Sequence, residues 1–484
     1  QKAGINTVLI QTRIRATTIY PSKYEPWDGC LSGFPGKSPG YDALEFAIKE
    51  CHKRGMEIQA WIVTLPVGSW SGEGCKIMRG KYPGLIKLID GHGYMNPEDP
   101  RTANIISNIC EEITRNYDID GIHLDYIRYP ETWKMKVSHE EGRRYITSIV
   151  QAIHDKVKSL KPWVKISCSP IGKYNDLSRY WSHGWNAYEK VCQDAQGWLS
   201  EGLMDELFPM MYFQDDQFYP FAINWKECDY GKIVAPGLGI YFLSPKEKDW
   251  SQDVITREMH VLRQCGLGHA FFRSKFFTDN IKGIYDFSAY FDSSPALIPA
   301  MTWESASAPS APTCIKKKDG ILSWNGARIK NDSPTLLYNI YASKNYPVDI
   351  NDSKNLLFMK YENTSINTNS DMYYAITAID RYGNESNAIQ SYGHKDLNAT
   401  YEELLNCDNE NVYFNINLRQ IDAKQVIITS LSGNAIGIKA IENNSARIRN
   451  IKDGIYILHT INEKGITHRL GYFIIDRNRL LRNK

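Results

Sequence analysis

Short apolar segments alternate with longer amphipathic segments from Gln1 to about Ala300. The short segments have the length and composition of buried strands, and the longer ones repeat apolar residues at the spacing of a helix face. We predict strands at Thr7–Gln11, Glu57–Val63, Gly121–Asp125, Lys165–Ser169, Glu206–Tyr212, Ile233–Gly237 and Ala270–Arg273. We predict helices at Tyr41–Arg54, Arg101–Tyr117, Glu140–Leu160, Ala195–Glu201 and Asp253–Cys265.

This alternation favours parallel βαβ units. Seven predicted strands fit an α/β fold of the (β/α)8 TIM-barrel type over residues 1–302, with its first strand missing or hidden. The alternative is an open doubly wound sheet. It is disfavoured because no Gly-rich phosphate loop follows any predicted strand.

The pattern changes after Ala300, where Ser305–Pro312 has the composition of a linker. Beyond it, alternating strands recur at spacings typical of β-sandwiches. Met372–Asp380, followed by Gly383–Ser386, resembles a fibronectin type III domain, which we place at 309–393. A second small sandwich at 398–484 is predicted from four further strands, at Val412–Asn417, Gln425–Thr429, Gly454–Ile461 and Thr467–Ile475.

Composition narrows the classes of function. The net charge is +2 and no basic stripe is present, so nucleic acid is not an expected partner. No apolar run is long enough to predict a transmembrane segment. The ten cysteines form no C-x-x-C or Cys/His cluster, so we expect no metal or other cofactor. The 30 Tyr, 16 Phe and 12 Trp fit a glycan-binding protein, although β domains and barrel cores also use many aromatics.

The strand Gly121–Asp125 carries the strongest candidate chemistry. Its period of two places His123 and Asp125 on one face, which points inward if Ile122 and Leu124 face the helices. The C-terminal ends of barrel strands carry active sites, and a carboxylate held there is costly unless it is paired or working. We expect Asp125 to act as nucleophile or base. The alternative is an ion pair with Arg128 or Arg13.

Other polar and aromatic residues fall at predicted strand ends. Asp176 and Asp215 are candidates for a second carboxyl group, although Asp215 and its neighbour Asp216 also fit a solvated turn. Arg13 either pairs with Asp125 or grips sugar hydroxyls, and a plain ion pair is the alternative. The candidate substrate-binding residues are Gln11, Arg13, Trp61, Asn96, His123, Tyr212 and Arg273.

Several motifs together resemble a known family: Ala60–Ile62, Asn96-Pro97, Asp120–Tyr126 and Phe208–Tyr212. They are similar to the glycosyl-hydrolase-like barrels of bacterial envelope proteins, distant relatives of the α-amylase and α-galactosidase groups. The resemblance covers about residues 1–295. It implies a (β/α)8 barrel, glycosidase activity, and export to the periplasm, the outer-membrane surface or the medium. Some relatives act on peptidoglycan strands.

The resemblance also implies a role for the strand motif Asp120–Tyr126. In the better-known groups, the aspartate of this motif is the nucleophile, which here corresponds to Asp125. The acid/base would then come from Asp176, Asp215 or Asp216, because no Glu occupies the end of the Lys165–Ser169 strand.

The sequence therefore predicts a monomeric glycosidase that cleaves a bacterial or environmental polysaccharide with paired carboxylates. In a retaining enzyme the two carboxyl groups are about 5–5.5 Å apart, and in an inverting enzyme about 6.5–9.5 Å. The competing hypothesis is a non-catalytic glycan-binding or scaffold protein on a degenerate barrel. A metal-dependent hydrolase is disfavoured because the eleven histidines are scattered and form no H-x-x-x-H pair.

Overall fold

The computed structural model describes residues 2–318, 320–327, 336–368, 371–390, 405–407, 411–415, 423–442, 445–449, 451–476 and 479–481. The chain divides into two compact units. The first comprises Gln1–Ser307 with Asp380–Asn384, and the second comprises Ala308–Ile379 with Glu385–Lys484. The three domain boundaries expected from the sequence stay a prediction.

The first unit is a TIM-type barrel of parallel strands, which confirms the predicted fold class. The ladder runs in the order β1-β2-β6-β7-β8-β9, and β10 pairs with β11. A bridge between Met210 and Gly237 continues the pairing from β8 to β10. The parallel strands are β1 (Thr7–Arg13), β2 (Glu57–Val63), β6 (Gly121–Asp125), β7 (Lys165–Cys168), β8 (Glu206–Leu207), β9 (Ile233–Val234), β10 (Gly237–Leu238) and β11 (Ala270–Phe271).

Two of the predicted strands, β2 and β6, have the predicted bounds. Strand β8 ends at Leu207 rather than Tyr212. The physical reason is Pro209, which has no N–H to donate to a ladder. Pairing resumes only as single bridges from Met210. Pro236 interrupts the next strand in the same way, between β9 and β10.

A small antiparallel sheet, which the sequence pattern did not predict, follows β2. It has the order β3-β5-β4 and consists of β3 (Pro66–Ser69), β4 (Ile86–Ile89) and β5 (His92–Met95). Helix α3 (Glu73–Lys81) is inserted between β3 and β4. The segment therefore forms a structured loop at the carboxyl end of β2.

Helices surround the parallel strands. No helix within the described residues is long and apolar enough to cross a membrane. The five predicted helices are confirmed to within two residues at each end as α2, α4, α5, α7 and α9. The helices are α1 (Gly29–Ser32), α2 (Ala43–His52), α3 (Glu73–Lys81), α4 (Pro100–Asn116), α5 (His139–Leu160), α6 (Ala187–Val191), α7 (Ala195–Ser200), α8 (Tyr219–Glu227), α9 (Gln252–Gln264), α10 (Ser274–Thr278) and α11 (Ile284–Phe291).

The residues before β1 lie against the last helix of the barrel. The Ser288 hydroxyl donates to the Ala3 carbonyl oxygen at 2.9 Å. Gly4 has a φ of 78°, and a Cβ there would lie 2.2 Å from the Asp292 Cβ. Only glycine combines this backbone conformation with so close an approach. The start of β1 is therefore packed against α11.

The second unit contains only strands and short turns among its described residues. One core lies between the sheets β12-β13-β16 and β15-β14-β17-β18, and another lies between β19-β20-β23 and β22-β21-β24-β25-β26. This confirms all-β structure after the barrel. The assignment to the fibronectin type III family stays a prediction, and part of the predicted strand Val412–Asn417 lies outside the described residues. The strands are β12 (Thr313–Lys318), β13 (Ile321–Asn325), β14 (Leu337–Ser343), β15 (Leu356–Tyr361), β16 (Ser365–Asn367), β17 (Tyr373–Ile379), β18 (Ile389–Gln390), β19 (Leu405–Cys407), β20 (Asn411–Asn415), β21 (Gln425–Ser430), β22 (Ala435–Ala440), β23 (Ser445–Arg449), β24 (Gly454–Ile461), β25 (Thr467–Asp476) and β26 (Arg479–Leu481).

Candidate functional site

Polar side chains fill the lower part of the barrel interior. Lys165 Nζ donates to both carboxylate oxygens of Glu57, at 2.9 and 2.8 Å. Gln59 Nε2 donates to Glu206 at 2.6 Å, and the Ser167 hydroxyl donates to Gln59 Oε1 at 2.6 Å. Burial raises the pKa of Glu206 to about 7, against the opposing charge of Lys165. These contacts join β2, β7 and β8 and form the floor under the site.

His123 continues this hydrogen-bonded chain towards the mouth. Ser167 has already donated its one hydroxyl hydrogen, so its oxygen accepts from His123 Nδ1 at 2.9 Å. Nε2 then accepts from the Ser169 hydroxyl at 2.6 Å. Burial lowers the pKa of His123 to about 3. The predicted substrate ligand is therefore a neutral, 1% exposed side chain with both nitrogens occupied by serines, and it orients its neighbours.

Asp125 lies one pleat above His123, at the carboxyl end of β6. Its Oδ2 accepts from Trp61 Nε1 at 3.1 Å, and its Oδ1 accepts from the Tyr126 backbone N–H at 2.8 Å. Tyr126 has a φ of 54°, a conformation that costs energy in a bulky residue and directs this N–H. Burial raises the pKa of Asp125 to about 6, while the Arg128 charge opposes the rise. A nearly buried carboxyl group is thus held with both oxygens oriented.

A cluster of aromatic rings lies beside this carboxyl group. Trp61 lies 6.4 Å from Phe272, which stacks on Tyr212 at 5.5 Å with 19° between the planes. Tyr241 packs edge-on against Tyr212 at 5.7 Å. Burial raises the pKa of Tyr212, and the charge of Asp125 adds to the effect. The structure therefore places Trp61 and Tyr212 near Asp125, a proximity that the positions of the strand ends in the sequence do not predict.

Arg128 contributes its charge to the surroundings of Asp125, whereas the sequence predicted it only as an alternative ion-pair partner of that residue. Its guanidinium pairs with Glu131 at 2.8 Å and lies 4.6 Å from the centre of the Tyr126 ring. Its buried Nε has no hydrogen-bond partner within the described residues. The signal that could have found it is its position three residues after Asp125.

Arg13 does not pair with Asp125, and that expectation is wrong. Its guanidinium is fully buried and forms a fork-shaped pair with Glu25, at 2.7–3.0 Å. The remaining nitrogen donates to the carbonyl oxygens of Val63 and Thr64. Because the side chain is fully buried and held by these bonds, it secures the end of β2 and is not available to grip sugar hydroxyls.

Gln11 occupies a more accessible place. It faces Trp61 across the ladder between β1 and β2, and it is half-buried. Its side chain makes no hydrogen bond within residues 2–318, so its amide is available to a ligand. Gln11 thus remains a candidate substrate-binding residue beside Trp61.

Asn96 and Arg273 lie on loops that follow strands. Asn96 Oδ1 accepts from the Glu98 backbone N–H at 3.3 Å, in a turn that leads to α4. Arg273 is exposed after β11, and its guanidinium lies 5.4 Å from the centre of the Phe276 ring. No recorded contact joins either side chain to Asp125 within the barrel residues described, so both remain predictions.

The two candidates for a second carboxyl group differ in their surroundings. Asp176 accepts from the Gly184 backbone N–H at 3.0 Å and from Asn186 Nδ2 at 3.3 Å. Asp215 is 60% exposed and lies 3.8 Å from Arg257. Neither makes a direct contact with Asp125 within the described barrel. The structure therefore ties Asp176 into its own loop and leaves Asp215 open to solvent.

The chain is similar to known glycosyl hydrolases and to a family of glycosyl-hydrolase-like proteins. Residues 1–145 and 139–237 match the family described as Glycosyl hydrolase-like 10. Glycosyl hydrolase YngK of Bacillus subtilis is 26% identical over 433 residues, which cover 80% of this chain and 85% of that protein. Glycosyl hydrolase DigH of Escherichia coli is 27% identical over 296 residues, 52% of this chain and 66% of that protein.

Among solved structures, α-L-fucosidase isoenzyme 2 from Paenibacillus thiaminolyticus is similar with a TM-score of 0.43. The identity is 14%, and the match covers 59% of this chain and 44% of that one. That similarity is too low for an inference about function. The residues that match the family, 1–237, run from β1 to the first residue of β10. They therefore include β6, the strand that carries Asp125.

Proposed function

We propose that this protein, whose residues 1–237 match the glycosyl hydrolase-like 10 family, hydrolyses glycosidic bonds in a polysaccharide, with Asp125 as the proton-transferring carboxyl group. The observation that supports this most is the placement of Asp125, held at the end of β6 by Trp61 and Tyr126 within an aromatic frame. Aromatic planes suit the apolar C–H faces of sugar rings.

The surroundings of Asp125 favour an acid/base role over that of a permanently ionised nucleophile. Glycoside hydrolysis needs a carboxylic acid that protonates the leaving oxygen and then becomes a base. A carboxyl group with a pKa of about 6 exchanges a proton readily near neutral pH. The guanidinium of Arg13, which would have favoured the ionised form, is taken up by Glu25. Of the two roles expected from the sequence, nucleophile or base, the proposal therefore takes the acid/base role.

We assign the second carboxyl group to Asp215 in preference to Asp176. Asp215 follows Tyr212 by three residues, and Tyr212 lies close enough to Asp125 for its pKa to respond to that charge. Three residues of extended chain span at most about 11 Å, which keeps Asp215 within reach of the substrate. Asp176 is engaged by Gly184 and Asn186.

The test is a screen of purified polysaccharides, including peptidoglycan strands freed of peptides, with wild type and Asp125→Asn. Loss of acid/base catalysis should lower kcat by about 10²–10⁴-fold without lowering the thermal unfolding midpoint. Asp155→Asn, an exposed aspartate on α5, is the matched control and should keep wild-type activity. Near-normal turnover by Asp125→Asn would remove this residue from the mechanism.

The same assay separates the remaining alternatives. Asp215→Asn should lower kcat, whereas Asp176→Asn should not. If neither substitution matters, either Asp216 or the substrate itself, as in the substrate-assisted glycosidases, supplies the second group, and Asp216→Asn distinguishes the two. Binding of a glycan without turnover by wild type would favour the glycan-binding hypothesis instead. Export of the protein, implied by the family resemblance, belongs to the same proposal and is tested by cell fractionation.

A further inference from the structure

Two tryptophans are exposed on the loop that follows β7, which we define as the 173–186 loop. Trp181 is 68% exposed and Trp185 is 46% exposed. Tryptophan is on average a highly buried residue, so two exposed indoles four residues apart need a reason. Exposure alternates along this stretch: Trp181, His183 and Trp185 are outward, while Ser182 and Asn186 are buried. The two indoles therefore share one face of the loop.

Polar contacts on the inner side of the loop hold this face in place. Asp176 Oδ1 accepts from the Gly184 backbone N–H at 3.0 Å and from Asn186 Nδ2 at 3.3 Å. Lys173 Nζ donates to the Ser182 hydroxyl at 2.6 Å. Gly184 has a φ of 123°, which only glycine adopts without strain. The loop is thus built to keep its backbone closed while its indoles face solvent.

The neighbouring residues show that burial was available to an aromatic side chain here. Tyr180 packs edge-on against Phe221 of α8 at 6.1 Å. Trp181, the next residue, lies 5.6 Å from the Tyr180 ring but stays exposed. The loop therefore directs one ring into the protein and the next ring outward.

The 173–186 loop lies at the same end of the barrel as Asp125. Strand β7 pairs in parallel with β6, with His123 opposite Ser167 and Leu124 opposite Cys168. The loop leaves the carboxyl end of β7, and Asp125 is the last residue of β6. In a barrel of this type, neighbouring loops at this end border a common site.

We propose that Trp181 and Trp185 form an additional glycan-binding surface that holds sugar units of a long strand beyond the bond being cleaved. This inference rests on the proposed function and narrows its substrate to a polymer bound over several sugar units. Four residues of extended chain span at most roughly 14 Å, a separation that allows the two indoles to contact different units of one strand. Indole planes fit apolar sugar faces, and the adjacent His183, which is 60% exposed and whose Nδ1 lies 3.5 Å from Asp176, offers a polar group to hydroxyls.

Binding is measured without turnover, in the Asp125→Asn protein, by affinity electrophoresis in gels that contain peptide-free peptidoglycan strands. Adding Trp181→Ala and Trp185→Ala should raise the dissociation constant roughly tenfold or more. Tyr290→Ala is the matched control, because Tyr290 is 81% exposed on α11, away from the loop, and its loss should leave binding unchanged.

In the active protein, the double substitution should lower kcat/KM roughly tenfold on long strands and leave a disaccharide-sized substrate within about twofold of wild type. Equal binding of the strands with and without the two indoles overturns the inference, and so does a failure of the Asp125→Asn protein to bind them. If binding depends on the indoles but wild type cleaves nothing, the proposed hydrolysis fails and the binding surface stands.

Discussion

Replacing Trp61 with Phe removes one hydrogen bond from Asp125 and keeps an aromatic ring in its place. The indole Nε1 donates to Asp125 Oδ2 at 3.1 Å, and the second bond, from the Tyr126 N–H, is unaffected. The indole N–H binds the ionised carboxylate more strongly than the neutral acid. Its loss therefore raises the pKa of Asp125 above its value of about 6.

The size of this change follows from the geometry. A hydrogen bond to a charged group contributes about 1.5–3 kcal/mol, and about 1.4 kcal/mol corresponds to one pH unit. Asp125 is 7% exposed, so water replaces the lost donor only in part. We expect the pKa of Asp125 to rise by about one pH unit.

The assay is the pH dependence of kcat/KM for wild type and Trp61→Phe. If Asp125 acts as the acid, kcat/KM falls as the pH rises through its pKa, and the variant moves this falling limb to higher pH. If Asp125 acts as nucleophile, kcat/KM instead increases as the pH rises through its pKa, and the variant moves this rising limb to higher pH. The direction of the limb thus reports the role of the carboxyl group.

Trp163→Phe is the matched control for this experiment. Trp163 precedes β7 at the opposite end of the barrel strands, and its indole nitrogen has no hydrogen-bond partner within the described residues. Its loss should leave the pH profile unchanged. If the profiles of Trp61→Phe and wild type coincide, the Trp61 N–H does not control the protonation of Asp125 and the reasoning fails.

Two further predictions concern stability, measured by urea unfolding. Glu25→Gln leaves the buried Arg13 charge uncompensated and should lower the free energy of unfolding by about 3–5 kcal/mol. The control is Glu45→Gln, in an exposed pair with Lys49, which should lower it by less than about 1 kcal/mol. Similar losses in the two variants would contradict the importance of burial. Burial raises the pKa of Glu258, whose carboxyl oxygens have no hydrogen-bond partner within the described residues. The contribution of Glu258 to the free energy of unfolding is therefore full below the ordinary carboxyl pKa, and it declines as the pH rises towards the pKa of Glu258 in the folded protein. Glu258→Gln should therefore be more stable than wild type at pH 7 and equal to it at about pH 4, and a variant with no advantage at pH 7 would refute this.

The strand and helix pattern of the barrel was readable from local periodicity. Strands β2 and β6 have the predicted bounds because apolar residues on their outer faces alternate with polar residues inside. The same period placed His123 and Asp125 on the inner face. The β3-β5-β4 sheet was not predicted, since its strands are four residues long and too short to show a clear period.

The partners of each charged group were not readable from the sequence. Arg13 and Asp125 both lie at the ends of strands, which made them candidate partners. The Arg13 guanidinium instead pairs with Glu25, twelve residues along the chain. Asp176 has the position of a catalytic acid, yet it accepts hydrogen bonds from its own loop. Side-chain partners depend on directions and distances across loops, which periodicity does not encode.

By itself, the sequence determined which residues face the barrel interior and which strand end carries a carboxyl group, because both depend on the two-residue repeat of a strand. Only the tertiary structure decided that Trp61 and Tyr126 bind Asp125 and that Phe272 packs between Trp61 and Tyr212. The reason is that burial and hydrogen bonding, which together set the protonation of this group, come from residues far apart in the chain.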